Sequence, residues 1–472
     1  MKVTIVQSRL KVADFAFNIK TVYEKLEQAQ GNIIVFPQYD LGNCGGKDLI
    51  LDERANKRQS DFYEKIASRV GDKYVFIGDV LINNGEFIEP DEYGFYDIEG
   101  EKVYVSDTFE DDVECDLYIL AHNRYYAINS IEEFTSSINT HCNFVYVNAV
   151  GMADESIYCG TSFAKNADNE IVFQAPICVE CVEDIDFSKS IAPEFDVIEK
   201  QIVDVTTYAL REYCENTGFK KVILGLSGGI DSALTAVLAV QALGKNNVLG
   251  VLLPSMFSSQ GSVDDSLALA KNLGMKTLTQ PITHLFDEFI ADVAKTRKHD
   301  LAEENLQARL RGLILMFFSN RDNYLLLTTG NKSEAAMGYG TLYGDMNGGL
   351  NLIADLTKTN VYKVSNYLNR HGVVIPQEII DKAPSAELRP DQKDSDSLPD
   401  YAVLDDIIEK YFEQNMSIDD IAKKYDRELV KDVVRRTYKA QFKRKQACLG
   451  VRLTERSFLK GINIPIVQKL YK

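Results

Sequence analysis

Apolar and polar positions follow two regimes along this chain. Over the first 190 or so residues, short apolar runs at 3–7, 33–36, 74–78, 117–121, 144–148 and 171–173 predict strands. Windows of helical composition at 18–28 and 61–70 alternate with them, which suggests a layered α/β or α+β domain. After Pro193 the pattern changes. A helix from 195 to about 214 leads into apolar strands at 221–224, 248–253, 276–279 and 324–328, separated by helices at 233–240, 262–273, 284–295 and 302–318. Such alternation predicts a doubly wound parallel sheet with ligands at the carboxyl ends of its strands. The stretch 382–400, rich in Pro, Asp and Ser, predicts a long loop, and helices resume at 401–414, 417–425 and 427–443.

One turn in this pattern carries chemistry. Leu224-Gly225-Leu226-Ser227-Gly228-Gly229-Ile230-Asp231-Ser232 places two glycines between a buried strand and a helix. Glycine lets the backbone approach an anion, whose charge meets the N–H groups of the helix N-terminus. Ser227 and Ser232 add hydroxyl donors, while the Asp231 carboxylate would repel phosphate unless a magnesium ion lay between them. No lysine follows Gly229, so this is not the loop of the nucleotide hydrolases that ends in Gly-Lys-Ser/Thr.

At 472 residues the chain exceeds one core, and two domains are expected, at 1–190 and 195–472. No apolar run reaches the roughly 18 residues of a spanning helix, and the first seven residues read as a strand, so a cytoplasmic protein without a membrane partner is expected. Of eight cysteines only Cys178 and Cys181 have metal-like spacing, and no second pair completes a zinc site. The net charge of −18 argues against a nucleic-acid partner. From residue 431 to the end, however, 12 Lys and Arg face only Asp432 and Glu455, a local basic region that suits a small, highly charged ligand.

Four further segments extend the glycine loop. Asn305 and Arg309 sit four apart on a helix and share a face; Thr328-Thr329-Gly330-Asn331-Lys332-Ser333-Glu334 follows a strand; Tyr339-Gly340-Thr341-Leu342-Tyr343-Gly344-Asp345 leads to Asp355-Leu356-Thr357-Lys358-Thr359; and Ala383-Pro384-Ser385-Ala386-Glu387-Leu388-Arg389 opens the polar loop. Together with the SGGxDS loop these resemble the NAD+ synthetase family across residues 195 to 472. The resemblance implies an adenine-nucleotide α-hydrolase fold, a homodimer or higher homo-oligomer, and ATP-dependent amidation of nicotinic acid adenine dinucleotide. It implies ATP contacts at Gly225, Leu226, Ser227, Gly228, Gly229, Ile230, Asp231, Ser232, Thr329, Lys358 and Ser385, and Mg2+ at Asp231 and Glu334. Contacts to the deamido dinucleotide are implied at Asn305, Arg309, Glu334 and Lys443. Where the family often carries basic residues before a Pro-Ile pair near its C-terminus, this chain has Phe458-Leu459-Lys460-Gly461-Ile462-Asn463-Ile464-Pro465-Ile466.

Residues 1–190 look like a shortened nitrilase-type amidase, an α-β sandwich that in many NAD+ synthetases hydrolyses glutamine. The resemblance rests on Ile33-Ile34-Val35-Phe36-Pro37 and Tyr146-Val147-Asn148-Ala149-Val150-Gly151. Such an amidase needs a glutamate base, an oxyanion-stabilising lysine and a cysteine nucleophile. Here Gln38 holds the glutamate position, no lysine lies between Lys73 and Lys102, and Ser106 best matches the nucleophile, with Cys115 its alternative under a shifted alignment. Loss of cooperating catalytic groups costs on the order of 10⁴ to 10⁶ in rate, so no glutaminase activity is expected. Ammonia would be used directly or come from a separate glutaminase. The alternatives are a synthetase that hydrolyses its own glutamine through a displaced site, another SGGxDS amidating ligase such as a GMP synthetase, a tRNA-modifying enzyme, which the acidic composition disfavours, and a non-catalytic nucleotide sensor.

Overall fold

The computed structural model describes residues 2–390 and 392–470. The first residue of the predicted opening strand, Met1, and the last lysine of the basic region, Lys472, lie outside the described residues. The chain forms two compact units that divide at Val205/Thr206, within the helix Ile198–Thr217.

The first unit is built on two six-stranded sheets and one of three strands. One large sheet runs in the order Cys181–Ile185, Val3–Gln7, Ile33–Phe36, Tyr74–Ile77, Val80–Asn83, Glu86–Ile88; the other runs Ile171–Gln174, Phe163–Lys165, Asn143–Tyr146, Leu117–Leu120, Glu101–Ser106, Phe95–Ile98. Alternate residues explain the layering. Val3, Ile5, Ile33 and Val35 face Val103, Leu117, Ile119 and Val145 in a core between the sheets. On the other side of the first sheet, Val6, Ile34 and Phe36 pack against Phe15 and Val22 of the helix Phe15–Leu26 and Phe62 and Ile66 of Glu53–Ala67. Phe134 of Ser130–Ser137 covers Tyr118, Phe144 and Tyr146 on the outside of the second. The result is an α-β-β-α sandwich, and the short hairpin strands that complete it were not among the predicted elements.

The second unit holds the predicted parallel sheet, in the order Lys276–Thr279, Val248–Leu252, Val222–Leu226, Leu325–Thr328, Leu350–Asn351. The strand order reverses beside Val222–Leu226, and such a switch point opens a crevice at the carboxyl ends of its strands. Two predicted helices change character near their ends: 284–295 is α-helical only over Thr283–Phe289 and then widens, with Lys295 N–H reaching Ile290 O at 2.8 Å. Likewise the helix Tyr401–Ile408 gives way to a wider turn in which Gln414 N–H reaches Glu409 O at 3.0 Å. Arg427–Lys439 packs its apolar stripe Val430, Val433 into a helical cluster with Leu404, Ile407 and Ile408, and a separate turn, Gln441–Arg444, carries Lys443.

Candidate active site

The loop Ser227-Gly228-Gly229 joins the strand Val222–Leu226 to the helix Ile230–Leu243. Gly228 has φ +77°, and a Cβ there would meet the backbone oxygen of Ser262 at 2.5 Å, so only glycine fits. Gly229 begins the helix without a side-chain cap, which leaves first-turn N–H groups directed at the crevice. Ser227 and Ser232 hold the loop shape: their hydroxyls lie 3.1 Å apart, and Ser232 donates to Gly229 O at 3.0 Å.

The loop opens on a cavity of about 370 Å³. Around it the fold gathers Gly225 through Ser232, Thr329, Glu334, Lys358, Ser385 and Lys443. Asn305 and Arg309 do not line it. Asn305 instead accepts from Thr341 Oγ1 at 2.7 Å, and exposed Arg309 donates through Nε to Leu342 O at 3.2 Å, so both brace the Thr341–Leu342 turn.

Lys358, 2 % exposed, is the electrostatic centre. Its ammonium donates to Asp231 Oδ2 and stands 3.6 Å from Glu334 Oε1. Asn331 ties the two carboxylates together from the opposite side. Its Nδ2 donates to Asp231 Oδ1 at 2.9 Å, and it forms a capping box with Glu334 at the start of the helix Lys332–Met337. Burial and the nearby Asp231 charge push the Glu334 carboxyl up to about 8, against the pull of Lys358. Glu334 therefore keeps a proton at neutral pH, and a cation bound between the two acids would release it.

The donor set decides whether magnesium fits. Both groups are hard oxygen donors, and among the described residues no third His, Cys, Asp or Glu joins them in a metal-binding cluster. A two-carboxylate site that leaves the other positions to water and phosphate oxygens is the habit of Mg2+. The residues present fit that ion.

Arg311 and Lys332 were not singled out by sequence reasoning, whereas Lys443 and Ser385 were. Arg311 donates through Nε to Leu253 O at 3.0 Å, and burial pushes its guanidinium down to about 10. Beneath the site, fully buried Lys332 bonds Asp355 at 2.9 Å, Glu413 at 2.6 Å and Thr454 Oγ1 at 2.9 Å, fixing the helix that presents Glu334. Lys443 donates to Gly338 O and Gly340 O, both at 2.7 Å, and Ser385 donates to Gln392 O at 2.5 Å within its own loop. The Asn-x-x-Glu spacing of a capping box was the available signal for Asn331. None marked Arg311.

In the first unit, buried Gln38 follows the strand Ile33–Phe36, and its backbone oxygen accepts from Asn123 Nδ2 at 2.8 Å. Gly78 packs so closely that a Cβ would meet Gln38 Cγ at 2.5 Å. Ser106 ends the strand Glu101–Ser106 and donates to Thr108 O at 2.7 Å. Cys115 Sγ lies 3.4 Å from Cys142 Sγ, and this contact together with burial pushes its thiol up. Among the described residues no hydrogen bond joins Gln38 to Ser106 or Cys115, and Lys102 stacks on the Phe95 ring at 3.7 Å.

A parallel sheet with a glycine loop, paired acids and a buried lysine at its switch point has the layout of a nucleotide-binding α/β protein. The NAD synthase family model matches residues 202–447, and the chain belongs to that family. A glutamine-dependent NAD(+) synthetase of Thermotoga maritima is 32 % identical over 568 aligned positions, covering 99 % of each chain. One from Synechocystis sp. is 44 % identical over 339 positions, 69 % of this chain but only 61 % of that relative's length. Among solved structures, the glutamine-dependent NAD+ synthetase of Acinetobacter baumannii in complex with ADP superposes with TM-score 0.74 at 30 % identity, covering 99 % of this chain and 98 % of that one. That of Cytophaga hutchinsonii shares the fold, with TM-score 0.82 at 16 % identity over 99 % of this chain and 98 % of that one. Among the described residues no helix is long and apolar enough to cross a membrane.

Proposed function

We propose that this chain amidates nicotinic acid adenine dinucleotide at the expense of ATP, taking its nitrogen from free ammonia. The supporting observation is the Asp231–Lys358–Glu334 cluster beside the glycine loop. A carboxylate reacts poorly with ammonia because oxide would have to leave. The pyridine carboxylate therefore attacks the α-phosphorus of ATP and pyrophosphate departs. Ammonia then attacks the carboxyl carbon, the C–O bond to phosphate breaks, AMP leaves with the bonding pair, and the nitrogen loses its surplus proton to solvent.

In this reading the amides after Gly229 and the Ser227 and Ser232 hydroxyls hold the leaving pyrophosphate, with Thr329 and Ser385 further along the nucleotide. Lys358 orients the two carboxylates and neutralises charge on the phosphates. Asp231 and Glu334 would hold Mg2+, which supplies positive charge to phosphate oxygens. Lys443 contacts the dinucleotide from the cavity rim, while Asn305 and Arg309 would reach it from outside this cavity. The exposed Leu313 and Phe317 of the same helix support a homo-oligomer.

The relatives named above are glutamine-dependent, and that is the second reading. Against it stand Gln38, an amide that cannot take a thiol proton, and Ser106, a hydroxyl in place of a thiol whose nearest carboxylate is that of Glu110, on the loop after its own strand at 3.4 Å. The first unit is then an amidase-like sandwich without amidase chemistry. Asp231→Asn should abolish ATP- and dinucleotide-dependent release of pyrophosphate. Undiminished release would refute the metal-holding role.

A further inference from the structure

Two thiols of the first unit meet at the ends of neighbouring strands. Cys115 stands two residues before Leu117–Leu120 and Cys142 one residue before Asn143–Tyr146, parallel strands in which Leu117 lies opposite Asn143. Their sulfurs are 3.4 Å apart, and the Cys115 S–H donates to Cys142 Sγ. Thr140 Oγ1 sits 3.3 Å from the same Cys142 sulfur and also accepts from the Cys142 N–H, which fixes that residue in place. Both cysteines pack on the outer face of the sheet with Tyr118, Ile138 and Phe144, where Cys142 is 6 % exposed and Cys115 half-buried. Thiols already in contact need only a side-chain adjustment to bond.

The contact also separates the two sulfurs chemically. The hydrogen bond from Cys115 outweighs burial and holds the Cys142 thiol down at about 7, whereas the same contact pushes Cys115 up. Cys142 is therefore the nucleophile of the pair, and Cys115 the thiol that resolves it. Burial pushes Cys44 and Cys159 up to about 12 and Cys181 and Cys214 up to about 11, so these remain protonated at neutral pH.

We propose that Cys115 and Cys142 form a peroxide-sensitive dithiol whose reversible disulfide ties the strand Leu117–Leu120 to Asn143–Tyr146. The Cys142 thiolate attacks one oxygen of hydrogen peroxide, the O–O bond breaks, and hydroxide leaves, becoming water with the proton that the thiol had given up. The Cys115 sulfur then attacks the sulfur of the Cys142 sulfenic acid. The S–O bond breaks, and the departing hydroxide takes the Cys115 proton. Two electrons thus pass from the thiols to one peroxide, which ends as two waters.

The test treats the full, reduced chain with a modest excess of hydrogen peroxide at neutral pH, then counts thiols in the unfolded protein and maps peptides digested without reductant. Two of the eight thiols should disappear, with the Cys115 and Cys142 peptides recovered as one species two hydrogens lighter than their sum, and dithiothreitol should restore both. In Cys115→Ser the hydroxyl keeps a donor beside Cys142 but cannot resolve it, so Cys142 should gain two oxygens as a sulfinic acid that dithiothreitol does not reverse. In Cys142→Ser the Cys115 thiol should survive the same exposure. No linked peptide from the wild type, another cysteine consumed first, or Cys115 oxidised as fast in Cys142→Ser as in the wild type overturns the assignment.

Discussion

Replacing Lys358 by methionine keeps the length of the side chain and removes its charge. In the folded protein the Lys358 side chain is 2 % exposed, and the Asp231 and Glu334 side chains 16 % and 19 %. Each carboxylate would keep one hydrogen bond from Asn331, at 2.9 Å to Asp231 and 3.2 Å to Glu334, but neither would face a cation. Breaking a buried ion pair from one side costs about 3–5 kcal/mol, and water reaching Asp231 and Glu334 favours the lower end. At about 2–4 °C per kcal/mol for a unit of this size, the melting temperature should fall by roughly 6–12 °C near pH 8. Glu334 can take up a proton as pH falls, which relieves the repulsion, so the deficit should shrink near pH 6. Scanning calorimetry at both pH values, with exposed Lys276→Met as control, measures the effect. A variant that melts within about 2 °C of wild type near pH 8 would refute the view that this lysine neutralises the acidic pair.

Other expectations follow from single contacts. Gly228→Ala must hold φ near +77° and push Ser262 backbone away from a 2.5 Å approach, so titration calorimetry should find ATP affinity reduced by about tenfold or more. Gly229→Ala, whose new methyl would meet only the Ser227 hydroxyl at 3.3 Å, should be much milder, and equal losses would argue against the loop geometry. Burial disfavours the Asp406 carboxylate, yet hydrogen bonds from Lys410, Tyr425 and Lys424 overcome this and hold its pKa down at about 2, against 3.8. That depressed value stabilises the fold above about pH 4 and is lost as pH falls toward 2, so Asp406→Asn should cost about 2 kcal/mol at neutral pH and almost nothing near pH 2 in urea titrations.

The inner strands of the second unit's sheet were legible because both of their faces are buried. Val248–Leu252 and Leu325–Thr328 read as continuous apolar runs, and the helices between them repeat near 3.6 residues. The hairpins of the first unit were not. Glu86–Ile88 is exposed along its whole length, and Glu101–Ser106 alternates without a clean apolar face, so pairing partners rather than local composition make them strands. In the site, the loop and the acids were visible as motifs. Lys358 was read as an ATP contact, but its bond to Asp231 depends on an approach across 127 residues that no local pattern encodes. Arg311 lies on a helix of mixed composition, where burial alone makes it unusual.

The source of the amide nitrogen separates the two readings of this enzyme. Purified protein supplied with ATP, Mg2+ and nicotinic acid adenine dinucleotide can be given either nitrogen-15 ammonium or glutamine labelled in its amide, and the dinucleotide product read by mass spectrometry. Label from ammonium should enter the carboxamide, with AMP and pyrophosphate formed in equal amounts, and glutamine should contribute none. Equal labelling from glutamine, or no amide from either source, would contradict the ammonia-dependent reading.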